Sequence, residues 1–368
     1  MAKRTWKTFG VLTAAAFTAG ALLGPTVAMA ADFSGKTITA LVPFKEGGGA
    51  DVVTRFFAPY FGKHLPGQPK IIVRNMPGGA TTRGNNWFHN DAKADGSTYI
   101  SVSTSSQTTF ILGGKKVKFD MTKWKYVLAI PQGTVVYARP ETGVKGKNLR
   151  DDITALRSAK LVTGAKNPTA AELRLFLGLE MLGVKSVKPV FGLSTGQQRK
   201  GMLRGELNIN YDSATAYLKK AKKYSDKGTF VPVFTLGYTA EDGSIVRDPA
   251  YPELPTIVEA YKATHGGKLP TGIFWQAYKN FYSMGVMTSK GFALPSATPK
   301  DVHDAYIKAA KDISNDPAFK KASGKRLGNY PIQLGSAAKK SFSDAVDVTP
   351  EVKAFMKDFI KKRFDVNI

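Results

Sequence analysis

The chain has 368 residues, with 53 lysines and arginines against 28 aspartates and glutamates, and no cysteine. The lack of thiols excludes disulfides, a lipidated cysteine and any thiolate-held zinc or iron–sulfur cluster. A formal net charge of +25 favours anions as partners. Nothing interleaves that charge with aromatics as a nucleic-acid module would, and Lys219, Lys220, Lys222 and Lys223 read as one solvated helix face.

Residues 1–30 are laid out as a secretory signal. Lys3, Arg4 and Lys7 precede the apolar stretch 11–23, and Ala28–Met29–Ala30 supplies a small–x–small cleavage site ahead of Ala31. The apolar stretch is shorter than the ~20 residues of a membrane span. A soluble periplasmic protein is therefore expected, and the remaining chain is long enough for two domains.

Strand and helix patterns then alternate, as in an α/β fold with largely parallel sheets. Residues 37–44 read as a strand running into Gly47, Gly48 and Gly49. A helix is expected from about Val52, with Asp51 as its cap and Pro59 as a point where it kinks or ends. Glycines let backbone N–H groups approach a ligand, and a helix start adds unsatisfied donors and a positive dipole, a combination suited to an anion. No Gly–Lys–Ser/Thr follows and no third glycine falls at dinucleotide spacing, so phosphate-loop and dinucleotide readings fail. Residues 70–74 form a second strand, closed by Asn75–Met76–Pro77–Gly78–Gly79. Residues 98–103 form a third, which leads into the polar tract Thr104–Ser105–Ser106–Gln107–Thr108–Thr109, read as a loop. Ligands of open α/β sheets bind beyond the carboxyl ends of strands, so these three loops are expected to converge.

A second series opens at 125–130 and 135–138, with Pro131–Gln132–Gly133 as a candidate hinge. Residues 161–163 are a strand, and Thr169 with Glu172 fits a capping box for the helix behind it. Residues 207–211 and 230–236 add strands, and 237–267 read as a surface connection with one short helix. Thr298–Pro299 and Thr349–Pro350 each start a helix with Thr as cap and Pro at the first position. Val352, Phe355, Met356, Phe359 and Ile360 form one stripe that docks on the core.

Gly192–Leu193–Ser194–Thr195–Gly196 spells a nucleophile elbow, which makes a secreted serine hydrolase using Ser194 an alternative. Its conceivable bases, His265 in a turn-rich loop and His303 in a helix, are poorly placed for it. The histidines His64, His89, His265 and His303 fall at no ligand spacing, so no metal is expected. Asp212 can cap, order water or hydrogen-bond a ligand. Phe44, Trp87, Trp124 and Trp275 are candidates for an apolar wall against an aromatic acid.

Val42–Pro43–Phe44, the Gly47–Gly49 run and Asp51 together resemble the first signature of the tripartite tricarboxylate transporter solute-receptor (Bug-type) family. Leu65–Pro66–Gly67–Gln68 with Val73–Arg74–Asn75–Met76–Pro77–Gly78–Gly79–Ala80 resembles its second. Further family-like stretches follow in order at 94–99, at 203–207 ahead of Asp212, at 252–256 and at 294–299. The resemblance implies a two-lobed, type II periplasmic-binding-protein-like fold, each lobe a mostly parallel sheet flanked by helices. Lobe one would hold residues 31–130 plus 283–368, lobe two residues 131–282, and the ligand cleft would lie between them. It implies a monomer that closes on a small organic anion, a mono-, di- or tricarboxylate, and delivers it to integral-membrane transporter subunits. No enzymatic step, cofactor or nucleic acid is implied; a binding protein that feeds a signalling receptor is the alternative.

Carried over residue by residue, Phe44, Gly47, Gly48 and Gly49 match the first binding loop, and Asn75, Gly78 and Gly79 the second. Ser103, Thr104 and Ser105 match the polar loop, Ala165, Asn167 and Thr169 the facing loop, and Asp212 an acid near the cleft. Lys45–Glu46 stands where the family has small residues or proline, which leaves the ligand open.

Overall fold

The computed structural model describes residues 1–3, 5, 31–240, 242–328 and 330–368, so the expected signal segment falls almost wholly outside it. The strands are β1 (Thr37–Val42), β2 (Lys70–Asn75), β3 (Thr98–Ser103), β4 (Lys125–Ile130), β5 (Thr134–Ala138), β6 (Leu161–Gly164), β7 (Val187–Val190), β8 (Ile209–Ser213), β9 (Val231–Thr235), β10 (Tyr238–Thr239), β11 (Ile245–Val246), β12 (Lys290–Leu294) and β13 (Gln333–Leu334). The six-stranded sheet has the order β13-β4-β12-β3-β1-β2, with β1 parallel to β2 and β3 and β12 antiparallel to β3 and β4. A second region is built on β8-β5-β9, with β5 reversed between its neighbours, and on the parallel pair β6–β7. Asn208 joins the two parts: its N–H donates to the Val162 carbonyl and its Oδ1 accepts from the Val162 N–H.

The chain passes between these regions at 131–133 and again at 287–289, and the strand entered each time, β5 or β12, runs against its neighbours. The passages are tied together. The Gln132 N–H donates to the Val286 carbonyl at 2.8 Å, and the Gln107 side chain both donates to the Thr288 carbonyl and accepts its hydroxyl, each at 2.8 Å.

Between successive strands run helices α1 (Gly49–His64), α2 (Thr82–Asp91), α3 (Thr104–Leu112), α4 (Leu149–Ser158), α5 (Leu173–Met181) and α6 (Thr195–Arg204). Helix α1 begins earlier than expected, capped by Gly48, and Asp51 reaches back from its first turn instead of capping it. It also continues through Pro59. Phe57 and Phe61 explain why: their rings lie 5.1 Å from Phe319 and 5.4 Å from Tyr99 respectively. Burying each such ring is worth about 1.5–3 kcal/mol, which offsets the ~3 kcal/mol penalty of an internal proline.

The polar tract at 104–109 is not a loop but the body of α3, and it is buried throughout. Thr108 folds back on the helix, donating to the Thr104 and Ser105 carbonyls, while Thr104 and Thr109 reach out to the Met284 and Ala80 carbonyls. The bonds to other elements and the burial offset the weak helix preference of Ser and Thr. The capping box expected of Thr169 and Glu172 does not form. The Thr169 N–H and hydroxyl both donate to Asn167 Oδ1 at 3.0 Å, while Glu172 is drawn to Lys166. The helix Lys300–Asn315 is capped by Pro299, one residue later than expected. Thr349 caps the helix Pro350–Phe364 as expected, and its stripe of Val352, Met356, Phe359 and Ile360 is buried. The surface connection at 237–267 holds the β10–β11 hairpin besides its helix Ile257–Thr264. Among the described residues, no helix is long and apolar enough to cross a membrane.

Candidate functional site

The loop after β1 and the end of β2 are braced on each other. Asn75 donates to the Phe44 carbonyl at 3.0 Å and to Asp51 Oδ1 at 2.9 Å, and its own Oδ1 accepts from Arg55 at 3.0 Å. Asp51 also takes the Gly47 N–H at 2.9 Å and the Arg55 Nε at 3.0 Å. Burial pulls the Asp51 carboxyl up, but the bonds from Arg55, Gly47 and Asn75 outweigh it and hold it below the ordinary carboxylate range. Asn75 thus has both donors and its acceptor engaged in holding the loop. Gly48 and Gly49, at the start of α1, carry N–H groups with no acceptor inside the helix.

Gly78 and Gly79 open a run of four residues with positive φ, continued by Ala80 at 52° and Thr81 at 83°. Left-handed backbone at two non-glycine residues costs about 1–3 kcal/mol each and marks a loop whose shape is imposed by its surroundings. Thr109 of α3 holds it, donating to the Ala80 carbonyl at 2.7 Å.

Ser103, Thr104 and Ser105 lie where the two regions meet. Ser103 ends β3 in register with Lys290, Thr104 donates to the Met284 carbonyl at 3.0 Å, and Ser105 accepts the Ala171 N–H at 3.3 Å. On the facing side Ala165 is buried, bonded through its backbone to Val190 and Leu193, and Asn167 and Thr169 are spent on each other. Asp212 is 1% exposed and already paired, with Arg199 at 2.5 Å and Tyr137 at 2.9 Å. Burial raises its carboxyl above the ordinary value despite Arg199 and Tyr137. Of the candidate wall residues, Trp124 packs in the core against Phe88, Trp87 lies under Arg74, and Trp275 stacks on Tyr278.

Three cations occupy the same ground, and none was legible as a site residue. Lys166, between Ala165 and Asn167, pairs with buried Glu172 at 2.6 Å. Arg174, in the first turn of α5, is 4% exposed. Its guanidinium sits 4.9 Å over the Tyr211 ring, and its Nε and Nη1 have no hydrogen-bond partner. Gly285 gives it room, since a Cβ there would come within 2.0 Å of Nη1. Lys290 begins β12, and its Cε lies 3.6 Å from where a Gly49 Cβ would stand. Its ammonium bonds only neutral groups, the Ser289 carbonyl at 2.9 Å and hydroxyl at 3.3 Å. Burial, then Arg174 and Lys166, push it down to about 7.

Ser194 caps α6 in a capping box with Gln197. His265 bonds within its own helix end and His303 bonds the Tyr126 carbonyl. Among the described residues, no three His, Cys, Asp or Glu side chains cluster as metal ligands.

No protein-family model and no curated protein matches the chain. Solved structures do. MatC from Rhodopseudomonas palustris with bound malate aligns at 17% identity and a TM-score of 0.62, over 89% of this chain and 100% of that one. The periplasmic binding protein BugD aligns at 19% and 0.63, over 89% and 98%. An R. palustris protein solved with adipate aligns at 18% and 0.64, over 90% and 98%. The fold is therefore that of the two-lobed periplasmic binding proteins. Its particular form is the one shared by MatC and BugD, over nearly their whole length.

Proposed function

We propose that the protein is an extracytoplasmic solute receptor of the tripartite tricarboxylate transporter type. It captures a small organic anion, a carboxylate, between its lobes and presents it to integral-membrane transporter subunits. Arg174 carries this reading. Removing a charge from water without a partner costs several kcal/mol, so a buried guanidinium with two unanswered nitrogens calls for a counter-ion from outside the chain. A guanidinium matches a carboxylate in planar, two-point fashion. The malate and adipate named for the structural neighbours are ligands of this class.

In this reading the passages at 131–133 and 287–289 are the hinge, and closure about them buries the ligand. Gly48 and Gly49 offer amides, Ser103 and Ser105 offer hydroxyls, and Asn75 holds the loop that carries the amides. Export to the periplasm follows from the expected signal segment, and no covalent step is needed.

The test is a thermal-shift screen against aliphatic and aromatic carboxylates and their neutral amides at fixed ionic strength. A ligand at about 100 times its dissociation constant adds ~2.7 kcal/mol of stability. A subset of carboxylates should stabilise the protein and the neutral amides should not. A folded protein that answers to no carboxylate overturns the proposal.

A further inference from the structure

We infer that Arg174 and Lys290 form a split cationic clamp, one cation on each side of the cleft, which selects a doubly charged carboxylate and opposes closure until that ligand arrives. The inference rests on carboxylate capture as proposed above and goes further, naming the ligand's charge and the element that senses it.

The two cations come from different regions of the molecule. Lys290 belongs to the six-stranded sheet, in register with Ser103 at the carboxyl end of β3, and its stem runs past Gly49 at the amide-rich start of α1. Arg174 belongs to α5, against Tyr211 of β8. The acids nearby bond groups other than Arg174 and Lys290. Asp51 serves Gly47, Arg55 and Asn75, and Asp212 serves Arg199 and Tyr137; Glu172 Oε1 serves Lys166 and Gln198, while its buried Oε2 has no partner. Lys166 is paired with Glu172, which leaves Arg174 and Lys290 as the two cations without a carboxylate partner; Arg174, and more weakly Lys166, act on Lys290 as like charges.

Like charges in a cleft that has lost its water repel more strongly than the same charges in solvent. Closing the empty protein therefore works against this pair, whereas an anion lying between them turns the repulsion into attraction. A monoanion answers one cation and leaves the other without a counter-ion. A dicarboxylate answers both. The ligand then acts as the counter-ion that shifts the open–closed balance, because it bridges both cations only in the closed state.

A proton accompanies it. The Lys290 ammonium, pushed down to about 7 by burial and its like-charged neighbours, gains affinity for its proton once a carboxylate sits beside it. Above neutral pH the dianion must therefore bind together with a proton. Its dissociation constant should be level below pH ~7 and rise about tenfold per pH unit above, until the pKa of the complex is reached.

The experiment is calorimetric titration of the purified protein with succinate, glutarate and adipate, and with the monoamide of each, from pH 6 to 9. Buffers of different ionisation heat count the protons taken up. At least one dicarboxylate should bind about 100-fold more tightly than its monoamide. Lys290→Arg should keep that preference but flatten the pH profile, since arginine does not lose its proton. Lys290→Met should shrink the preference below about tenfold. Equal binding of a dicarboxylate and its monoamide, or an unchanged preference in Lys290→Met, overturns the clamp and leaves carboxylate capture standing. If none of the six binds, the clamp falls. Capture then survives only if other carboxylates still stabilise the protein in the thermal screen.

Discussion

On the β1–β2 side of the cleft, Asp51 gathers Gly47, Arg55 and Asn75 into a network that answers its own polar groups. On the α5 side, Arg174 is buried with two nitrogens unanswered. The first arrangement stabilises the empty protein and the second works against it. A frame that must present backbone amides in one shape benefits from internal bonds. A recognition group must keep its bonding capacity for the ligand, and the fold carries the cost until the ligand comes. Stability and binding should therefore separate cleanly between the two sides.

The largest expected effect is on the α5 side. Arg174→Met should weaken carboxylate binding by about 2–4 kcal/mol, the usual loss when one partner of a buried charge pair is cut. The empty protein should become no less stable, and up to ~1 kcal/mol more stable, because an unpaired buried charge has been replaced by an apolar chain. Urea unfolding and calorimetry read the two quantities independently. Lost stability with intact binding would break the comparison, because it would make Arg174 a structural residue.

The converse belongs to Asp51→Ala, which should destabilise the protein by about 2–3 kcal/mol, the range for charged hydrogen bonds left unmade. The half-exposed Arg55 contributes the smaller part, being screened by solvent. The pH dependence has a definite sign. A carboxyl held below its unfolded value stabilises the native state fully above that value, about 3.8, and loses the contribution as pH falls through its folded value. Wild type and variant should thus differ at pH 7 and converge in strong acid. A smaller effect, about 1–2 kcal/mol, is expected for Asn75→Ala, with affinity reduced less than about tenfold. A 100-fold loss of affinity at unchanged stability would instead make Asn75 a ligand contact.

Much of the frame was legible because it is written in local patterns. Residues 98–103 and 125–130 are continuous β-rich runs and form strands with those bounds, and Pro131–Gln132–Gly133 marks a passage between regions. The polar tract at 104–109 was misread because its burial comes from long-range packing, which weak helix formers do not announce. Strand β12 has only five residues, one of them Gly291, and shows no alternation to distinguish it. Lys290 could not be placed without it. Arg174 was hidden differently: one arginine in an apolar helix reads as a surface position, and only the fold reveals Gly285 and Tyr211 closing over it. Glycine loops suggest a candidate site from the local sequence, whereas a buried charge suggests one only by lacking a partner in three dimensions.

The smallest effect bears on the motif that most resembled chemistry. Ser194 sits in Gly-x-Ser-x-Gly, yet its exposed side chain accepts the Gln197 N–H while Gln197 reaches back to the Ser194 N–H at 2.9 Å. A nucleophile needs a base within hydrogen-bond reach, and here the hydroxyl bonds an amide oxygen that cannot take its proton. Capping boxes are worth about 1 kcal/mol. Ser194→Ala should therefore lower unfolding free energy by roughly that amount and leave carboxylate affinity within a factor of two. Any ester turnover by the wild-type protein that disappears in this variant would assign Ser194 a chemical role. A pure cap predicts a shifted denaturation midpoint and nothing else, because Ser194 is exposed and its side chain bonds within its own capping box.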